Sequence, residues 1–349
     1  PSMERDAYYE AFDLPFYRKH LAAALPPIVL DFHAHSWCRE HWREIPWDVN
    51  APGGGYVTTQ VHYPLDEMLS QGALLFPDRR YQAVCFGQPT PAVEHLACDN
   101  YLAENATADC FPLLLAGMGE RNKEALRRRV LAGGFYGYKV ILDWYGNDYG
   151  HIRIPDMLTE EAMALADEMQ LVVLLHVPGG ERLASPQTQQ DVRELSRRHP
   201  GAQIVLAHCG RCYLPDEMWR AVDCLRDLQN VYLDTAMVMD TDVLEILFQN
   251  LDSRRILFAT DLPVAIMRGR RVSVGTHWVD LVRDEGYPPA AYRVPSRDAN
   301  ATFMVYEIVR AILLAGRLVG LADEAVSHVF YQNGRTVLDR VQVPHRRER

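Results

Sequence analysis

Ile28-Val29-Leu30-Asp31-Phe32-His33-Ala34-His35 opens with three apolar residues and closes on two histidines one residue apart. An apolar run of this length suits a strand buried on both faces of a parallel sheet. Side chains alternate between the two faces of a strand, so His33 and His35 point to one side and can reach one metal ion. A doubly wound nucleotide-binding sheet would carry a glycine-rich phosphate loop after this first strand. Asp31-Phe32-His33-Ala34-His35 stands there instead, which favours a closed barrel.

Seven further runs of the same character follow, at Tyr81–Gly87, Cys110–Met118, Phe135–Leu142, Leu171–Pro178, Ala202–Gly210, Val231–Ala236 and Ile256–Pro263. Amphipathic segments with apolar residues three and four apart lie between most of them: Val93–Ala106, Arg121–Gly134, Thr159–Gln170, Pro186–His199, Pro215–Gln229 and Asp240–Leu251. A shorter helix is expected at Leu65–Leu75 in the first crossover. Thr159 before Glu160-Glu161, and Pro215 before Asp216-Glu217, are helix-start signals. Eight strands alternating with helices predict an α/β fold, a (β/α)8 TIM barrel with an N-terminal helix and a C-terminal helical extension. Residues 1–349 read as a single domain: barrel at about 27–263, a long capping loop at about 264–299 and C-terminal helices at about 300–338. The helix before Pro26 is expected over the barrel bottom, and the extension to hold helices at 300–315 and 322–338.

The 349 residues are 48% hydrophobic, enough to bury a large core. A net charge of −10 argues against nucleic acid or an anionic membrane as partner. No apolar run approaches the roughly 18 residues of a membrane span. Pro1–Asp6 is too polar for a secretion signal. Seven scattered cysteines fit reduced thiols better than a disulfide framework, so the expected location is cytoplasmic. Cys209-Gly210-Arg211-Cys212 has redox spacing without a redox context.

Strand C-terminal ends converge on one mouth of such a barrel, so polar residues there are the candidates for chemistry. The ends supply His33 and His35, then Lys139 on the fourth strand, His176 on the fifth, His208 on the sixth and Asp261 on the eighth. A single histidine at a strand end is most often structural. Four histidines and an aspartate delivered to one rim point to metal. Asp234 on the seventh strand is a candidate partner for a ligand histidine, as are Asp143 and Asp148, although solvated loop carboxylates are the simpler reading of the latter two.

Asp31-Phe32-His33-Ala34-His35, Leu175-His176-Val177-Pro178, Ala207-His208-Cys209-Gly210, Tyr232-Leu233-Asp234-Thr235 and Ala259-Thr260-Asp261-Leu262-Pro263 resemble, as a set and in this order, the amidohydrolase superfamily. The resemblance is nearest to the branch containing aminocarboxymuconate-semialdehyde decarboxylase. It implies that His33, His35 and Asp261 hold a first metal and that His176 is a ligand. By the same resemblance His208 is a second-metal ligand or a catalytic group, and Asp261 doubles as catalytic proton shuttle for water activated by the ion. Two positions depart from the family pattern. Leu262 stands where that family often has Trp, and Lys139 stands where its mononuclear decarboxylases usually have no ligand.

Lysine occurs only at Lys19, Lys123 and Lys139, in a chain whose other basic residues are all arginine. Binuclear superfamily members bridge two metals through a carboxylated lysine at this strand, which leaves that role open to Lys139. An ammonium cannot ligate, so Lys139 would have to be neutral before taking up CO2. The alternative is an ion pair with Asp143 or with a substrate acid. One or two divalent ions, zinc, manganese or iron, therefore remain open.

The leading functional expectation is a metal-dependent hydrolase or C–C lyase acting on a sizeable organic acid, ester or amide. A non-haem di-iron oxygenase on the same barrel, hydroxylating a bulky apolar substrate that could be coenzyme A-linked, uses the same donors. An inactive barrel serving as a binding protein is the third reading. Trp37, Trp42, Trp47, Tyr56, Trp144, Tyr145 and Tyr149 in the loops suit a small-molecule substrate with an apolar body. Arg268, Arg270 and Arg271, with Arg293 and Arg297 beyond, suit an anionic handle. Trp37, Trp144, Tyr145, Arg268, Arg270 and Arg271 are the candidate substrate-binding residues; a homo-oligomer is left open.

Overall fold

The computed structural model describes residues 6–45, 60–88, 90–116, 121–140, 142, 150–283, 293–295 and 300–343. Strand β1 (Ile28–His35) pairs in parallel with β2 (Arg80–Phe86), and β2 with Cys110–Pro112. This third strand breaks at Leu113, whose amide donates to the Cys85 carbonyl at 2.8 Å, and resumes at Leu114–Ala116; the two pieces together are β3. β4 (Gly137–Val140), β5 (Val172–Leu175), β6 (Gln203–Leu206), β7 (Val231–Asp234) and β8 (Ile256–Leu257) continue in parallel and in chain order.

The regular ladder is not continuous between β8 and β1. Discrete backbone bonds join them there. Phe32 N–H donates to the Phe258 carbonyl at 2.8 Å, Asp261 N–H to His33 at 2.9 Å and His35 N–H to Leu262 at 2.8 Å. Eight parallel strands in sequential order, with the last bonded to the first, form the expected (β/α)8 barrel.

Most strands end before their apolar runs do, and three of them stop short of a candidate site residue. β5 stops before His176, β6 before His208 and β8 before Asp261. The runs mislead because burial outlasts the ladder: Val177, Ala207, Cys209, Phe258 and Ala259 are all fully buried although the backbone has left the sheet.

Around the barrel run α1 (Leu14–His20), α2 (Leu65–Leu75), α3 (His95–Asn105), α4 (Lys123–Gly133), α5 (Glu160–Met169), α6 (Pro186–Arg198), α7 (Pro215–Ala221) and α8 (Thr241–Asn250). The expected helix at 215–229 ends early, in a 3-10 turn at Val222–Leu225. Residues 269–282, expected as part of a capping loop, hold an antiparallel hairpin of β9 (Gly269–Val274) and β10 (His277–Val282), to which β11 (Arg293–Pro295) adds in parallel.

After α9 (Met304–Leu318), the single helix expected at 322–338 is two, α10 (Asp323–Val329) and α11 (Gln332–Asp339). The break follows from where the carbonyls go: Val329 O accepts from Phe258 N–H at 3.0 Å and Phe330 O from Leu30 N–H at 2.8 Å. Asn333 Nδ2 caps the Ser253 and Ile256 carbonyls, and Gln203 Nε2 reaches the Val337 carbonyl at 2.8 Å. The extension therefore packs against the starts of β1, β6 and β8, the barrel bottom. The N-terminal helix, expected there, lies instead against α2 and α9: Tyr9 Oη donates to the Leu74 carbonyl, and Phe16 and Tyr17 pack on Tyr306.

Asp31 fastens the seam from inside. Its Oδ1 accepts from the His33 and Thr260 amides, both at 3.0 Å, and its Oδ2 from Tyr81 Oη at 2.7 Å and from the Thr260 hydroxyl. Burial pushes its pKa up to about 7 against these four donors. Removing a buried acceptor leaves each donor unsatisfied at about 1–3 kcal/mol. Asp31→Ala is expected to lower the unfolding free energy by at least about 3 kcal/mol in urea titration. A loss below about 1 kcal/mol would show that the seam does not depend on this carboxylate.

Candidate metal centre

Asp261 Oδ1 faces two ring nitrogens, His33 Nε2 at 3.3 Å and His35 Nε2 at 3.1 Å. His33, His208 and Asp261 each offer a ligand atom within 4.8 Å of the others, and all three are buried. Bonds of about 2.0–2.2 Å place adjacent ligands of one ion roughly 3.0–3.6 Å apart. Asp261 Oδ1 is at that spacing from His33 and from His35, and the cluster of three mutually close donors is His33, His208 and Asp261.

The outer nitrogens are committed, which aims the inner ones. His33 Nδ1 donates to Asp234 Oδ2 at 2.8 Å, leaving the Nε2 lone pair toward Asp261. His208 Nδ1 donates to the Ala236 carbonyl at 3.0 Å, leaving its Nε2 as the ligand atom. Asp234 does more than hold one ring, because its Oδ1 also accepts from the His208 amide at 2.8 Å and the Ala236 amide at 3.1 Å. One carboxylate thus sets a ligand tautomer and positions a second ligand.

Two candidate ligands sit on left-handed backbone, His208 at φ +55° and Asp261 at φ +72°. The turn after β6 keeps positive φ through Cys209, Gly210 and Arg211. Such a conformation costs about 1–2 kcal/mol for each L-residue. The Ala207 carbonyl offsets part of this by accepting from the Gly210 amide at 3.0 Å and the Arg211 amide at 3.3 Å, and Arg211 Nη1 adds a bond to the Val177 carbonyl. Gly210 is required as well as tolerated, since an added Cβ would lie 2.6 Å from Leu183 Cδ2.

Burial lowers the pKa of His33 and His176 well below the ordinary value and that of His208 to a lesser degree, which works against protonation of the rings. Burial alone would raise the Asp261 carboxyl, but the His35 hydrogen bond and the fields of His208, His33 and His35 outweigh it and keep it ionised. Neutral imidazoles beside a carboxylate are the protonation states a divalent ion needs. Lys139 is 1% exposed, with Nζ 3.4 Å from His33 Nε2 and 4.8 Å from the Phe86 ring centroid. The His176 ring lies 5.1 Å from His208.

A family profile described as amidohydrolase matches residues 30–339. The chain belongs to the amidohydrolase family. Solved structures share the fold at low identity. 4-Oxalomesaconate hydratase from Rhodopseudomonas palustris is 16% identical, with a TM-score of 0.58 over 89% of this chain and 96% of that one. 2,6-Dihydroxybenzoate decarboxylase from Rhizobium is 15% identical, with a TM-score of 0.53 over 90% and 99%. An amidohydrolase from Burkholderia multivorans with bound zinc is 13% identical, with a TM-score of 0.56 over 91% and 100%. No curated protein matches in sequence. Membership makes the chain an enzyme of the amidohydrolase type and implies the use of divalent metal.

The other candidates of this amidohydrolase fall in different places. Trp37 is fully buried, donates from Nε1 to the Val61 carbonyl at 3.1 Å and stands edge-on to His35 at 6.3 Å, so it backs a ligand. Arg268 pairs with Asp13 at 2.7 Å, pinning the N-terminal segment. Arg271 pairs with Asp280 at 2.8 Å and stacks between Trp278 and Tyr213, the latter 6.2 Å from His208. Arg270 meets Glu307 at 3.5 Å. Trp144, Tyr145, Asp143, Asp148, Trp47, Tyr56, Tyr149 and Arg297 lie outside the described residues, and so does the side chain of Arg293.

Sequence reasoning gave no role to Asp31, Tyr213 or Arg211. Asp31 stood within the quoted motif and could have been found as a carboxylate inside an apolar run. Tyr213 has no sequence signal. Cys209 and Cys212 are buried, with thiol pKa values raised by that burial, as suits a structural reading of their spacing. All seven cysteines are free thiols. Among the described residues no helix is long and apolar enough to cross a membrane.

Replacing an outer partner of a ligand histidine typically costs 10–100-fold in metal affinity. Asp234→Asn is expected to weaken metal binding by about that factor while the chain stays folded, as measured by competition with a chromophoric chelator. Unchanged affinity would mean that Asp234 does not orient His33.

Proposed function

We propose that this amidohydrolase is a metal-dependent hydrolase or C–C lyase (a decarboxylase) acting on a small, carboxylated organic molecule. The observation that carries the reading is the convergence of His33 Nε2 and His35 Nε2 on one oxygen of Asp261, with His208 beside them. His33, His35, His176, His208 and Asp261 would hold one or two ions. A divalent cation at such a site polarises a substrate oxygen and makes water a stronger acid.

The chain's own groups supply the rest. Asp261, ionised and next to His35, accepts or returns a proton at Oδ1. His208, with Nδ1 committed to the Ala236 carbonyl, presents Nε2 as a ligand or a base. We assign an anionic handle on the substrate to Arg211, whose charge helps lower the pKa of His176. Arg268 and Arg271 are already engaged by Asp13 and Asp280. The named substrates of two structural neighbours, oxalomesaconate and 2,6-dihydroxybenzoate, are carboxylated, in keeping with this assignment.

Lys139 is read as a ligand through a carbamate on Nζ. Its support is a buried amine placed 3.4 Å from a ligand nitrogen. The branch of the family resembled in sequence, with its decarboxylase, fits the same substrate class.

The test is elemental analysis of protein purified without added metal, with turnover on hydroxybenzoates and unsaturated dicarboxylates. Zinc or manganese is expected, with CO2 release or hydrolysis that does not depend on dioxygen and is lost in Asp261→Asn. Iron with stoichiometric oxygen uptake would replace this reading by the di-iron oxygenase. Metal-free protein that binds these acids without turnover would replace it by a binding protein. For Lys139, the metal content is expected to fall by roughly one ion per chain in Lys139→Met. An unchanged ratio removes Lys139 from the ligand set.

A further inference from the structure

A second group of donors lies on the segment that follows β1. Trp37 and Tyr63 exchange both backbone hydrogen bonds at 2.8 Å, an antiparallel pair. Cys38 and His62 are the next residues outward, which places them across from one another. Glu40 comes in from the single turn Arg39–His41. A ligand atom from each of Cys38, Glu40 and His62 lies within 4.8 Å of the other two.

The sulfur is fixed in place by two hydrogen bonds. Cys38 Sγ accepts from the His41 amide and is hydrogen-bonded to Tyr101. The Tyr101 oxygen already accepts from Leu65 N–H at 3.0 Å, so its own proton is the one directed at the sulfur. Burial raises the pKa of this thiol and the Tyr101 hydrogen bond opposes that rise, so an ion that takes the sulfur displaces its proton on binding. His62 Nδ1 accepts from the Arg39 amide at 3.1 Å. That bond is exposed, so the amide turns to water when an ion takes the ring nitrogen.

We propose that Cys38, Glu40 and His62 form a second cation site, for a thiophilic divalent ion such as zinc. Sulfur, nitrogen and carboxylate oxygen are the donor types zinc takes, with water completing four-coordination. An ion there ties the two ends of the 38–62 segment together, and a clip across a long loop removes closure entropy. It also fixes Trp37, and through it the wall behind His35.

The site is separable from the histidine–aspartate centre, whose proposed ligands include no sulfur. Cys38 is also the one cysteine of the seven that is not buried. Cobalt(II) added to the purified protein is expected to give a near-ultraviolet thiolate-to-cobalt charge-transfer band saturating at one ion per chain. The band should be absent in Cys38→Ser, kept in His33→Ala and weakened at least about tenfold in affinity in His62→Ala. Zinc should bleach it and slow the native reaction of Cys38 with a thiol reagent at least about tenfold. No band in the parent protein, a band that persists in Cys38→Ser, or labelling indifferent to zinc would overturn the proposal.

Discussion

Three backbone hydrogen bonds between the ends of the barrel sheet bring the first histidines to the last aspartate, and the rest of the site depends on them. The Asp261 amide donates to the His33 carbonyl, so two of the proposed ligands, more than two hundred residues apart, share one peptide contact. Asp31 backs this seam with four accepted hydrogen bonds from β1, β2 and the segment after β8. The C-terminal extension supports the same strands from below through the Val329 and Phe330 carbonyls. Barrel closure and ligand placement are therefore one structural event, and damage to the seam would reach both.

Two of the proposed ligands are held under local strain. His208 and Asp261 occupy left-handed backbone, and His208 is followed by three more residues of positive φ. What compensates is a set of buried hydrogen bonds converging on Asp234, the Ala207 carbonyl and the Ala236 carbonyl. Strain of this kind persists only where the surroundings over-determine it, and it concentrates at functional sites. Here it lets His208 turn back over the barrel mouth, which a strand continued to Gly210 would not.

Much of this was legible in the sequence. The apolar runs located all eight strands, and His33, His35, His208 and Asp261 are brought together as strand-end reasoning required. The strand ends were harder to read, because Val177, Ala207 and Phe258 remain buried after the ladder stops and hydrophobicity reports burial, not hydrogen bonding. The break between α10 and α11 was hidden because it is set by carbonyls that bond to distant strands. The arginines after β8 read as free cations because their partners, Asp13 and Asp280, are joined to them only by the fold.

Anomalous diffraction from crystals grown with zinc tests the central claim most directly. The account predicts a peak within about 2.0–2.2 Å of donor atoms from His33, His35 and Asp261 together. A peak that contacts only one of these three, or none at this end of the barrel, would contradict it.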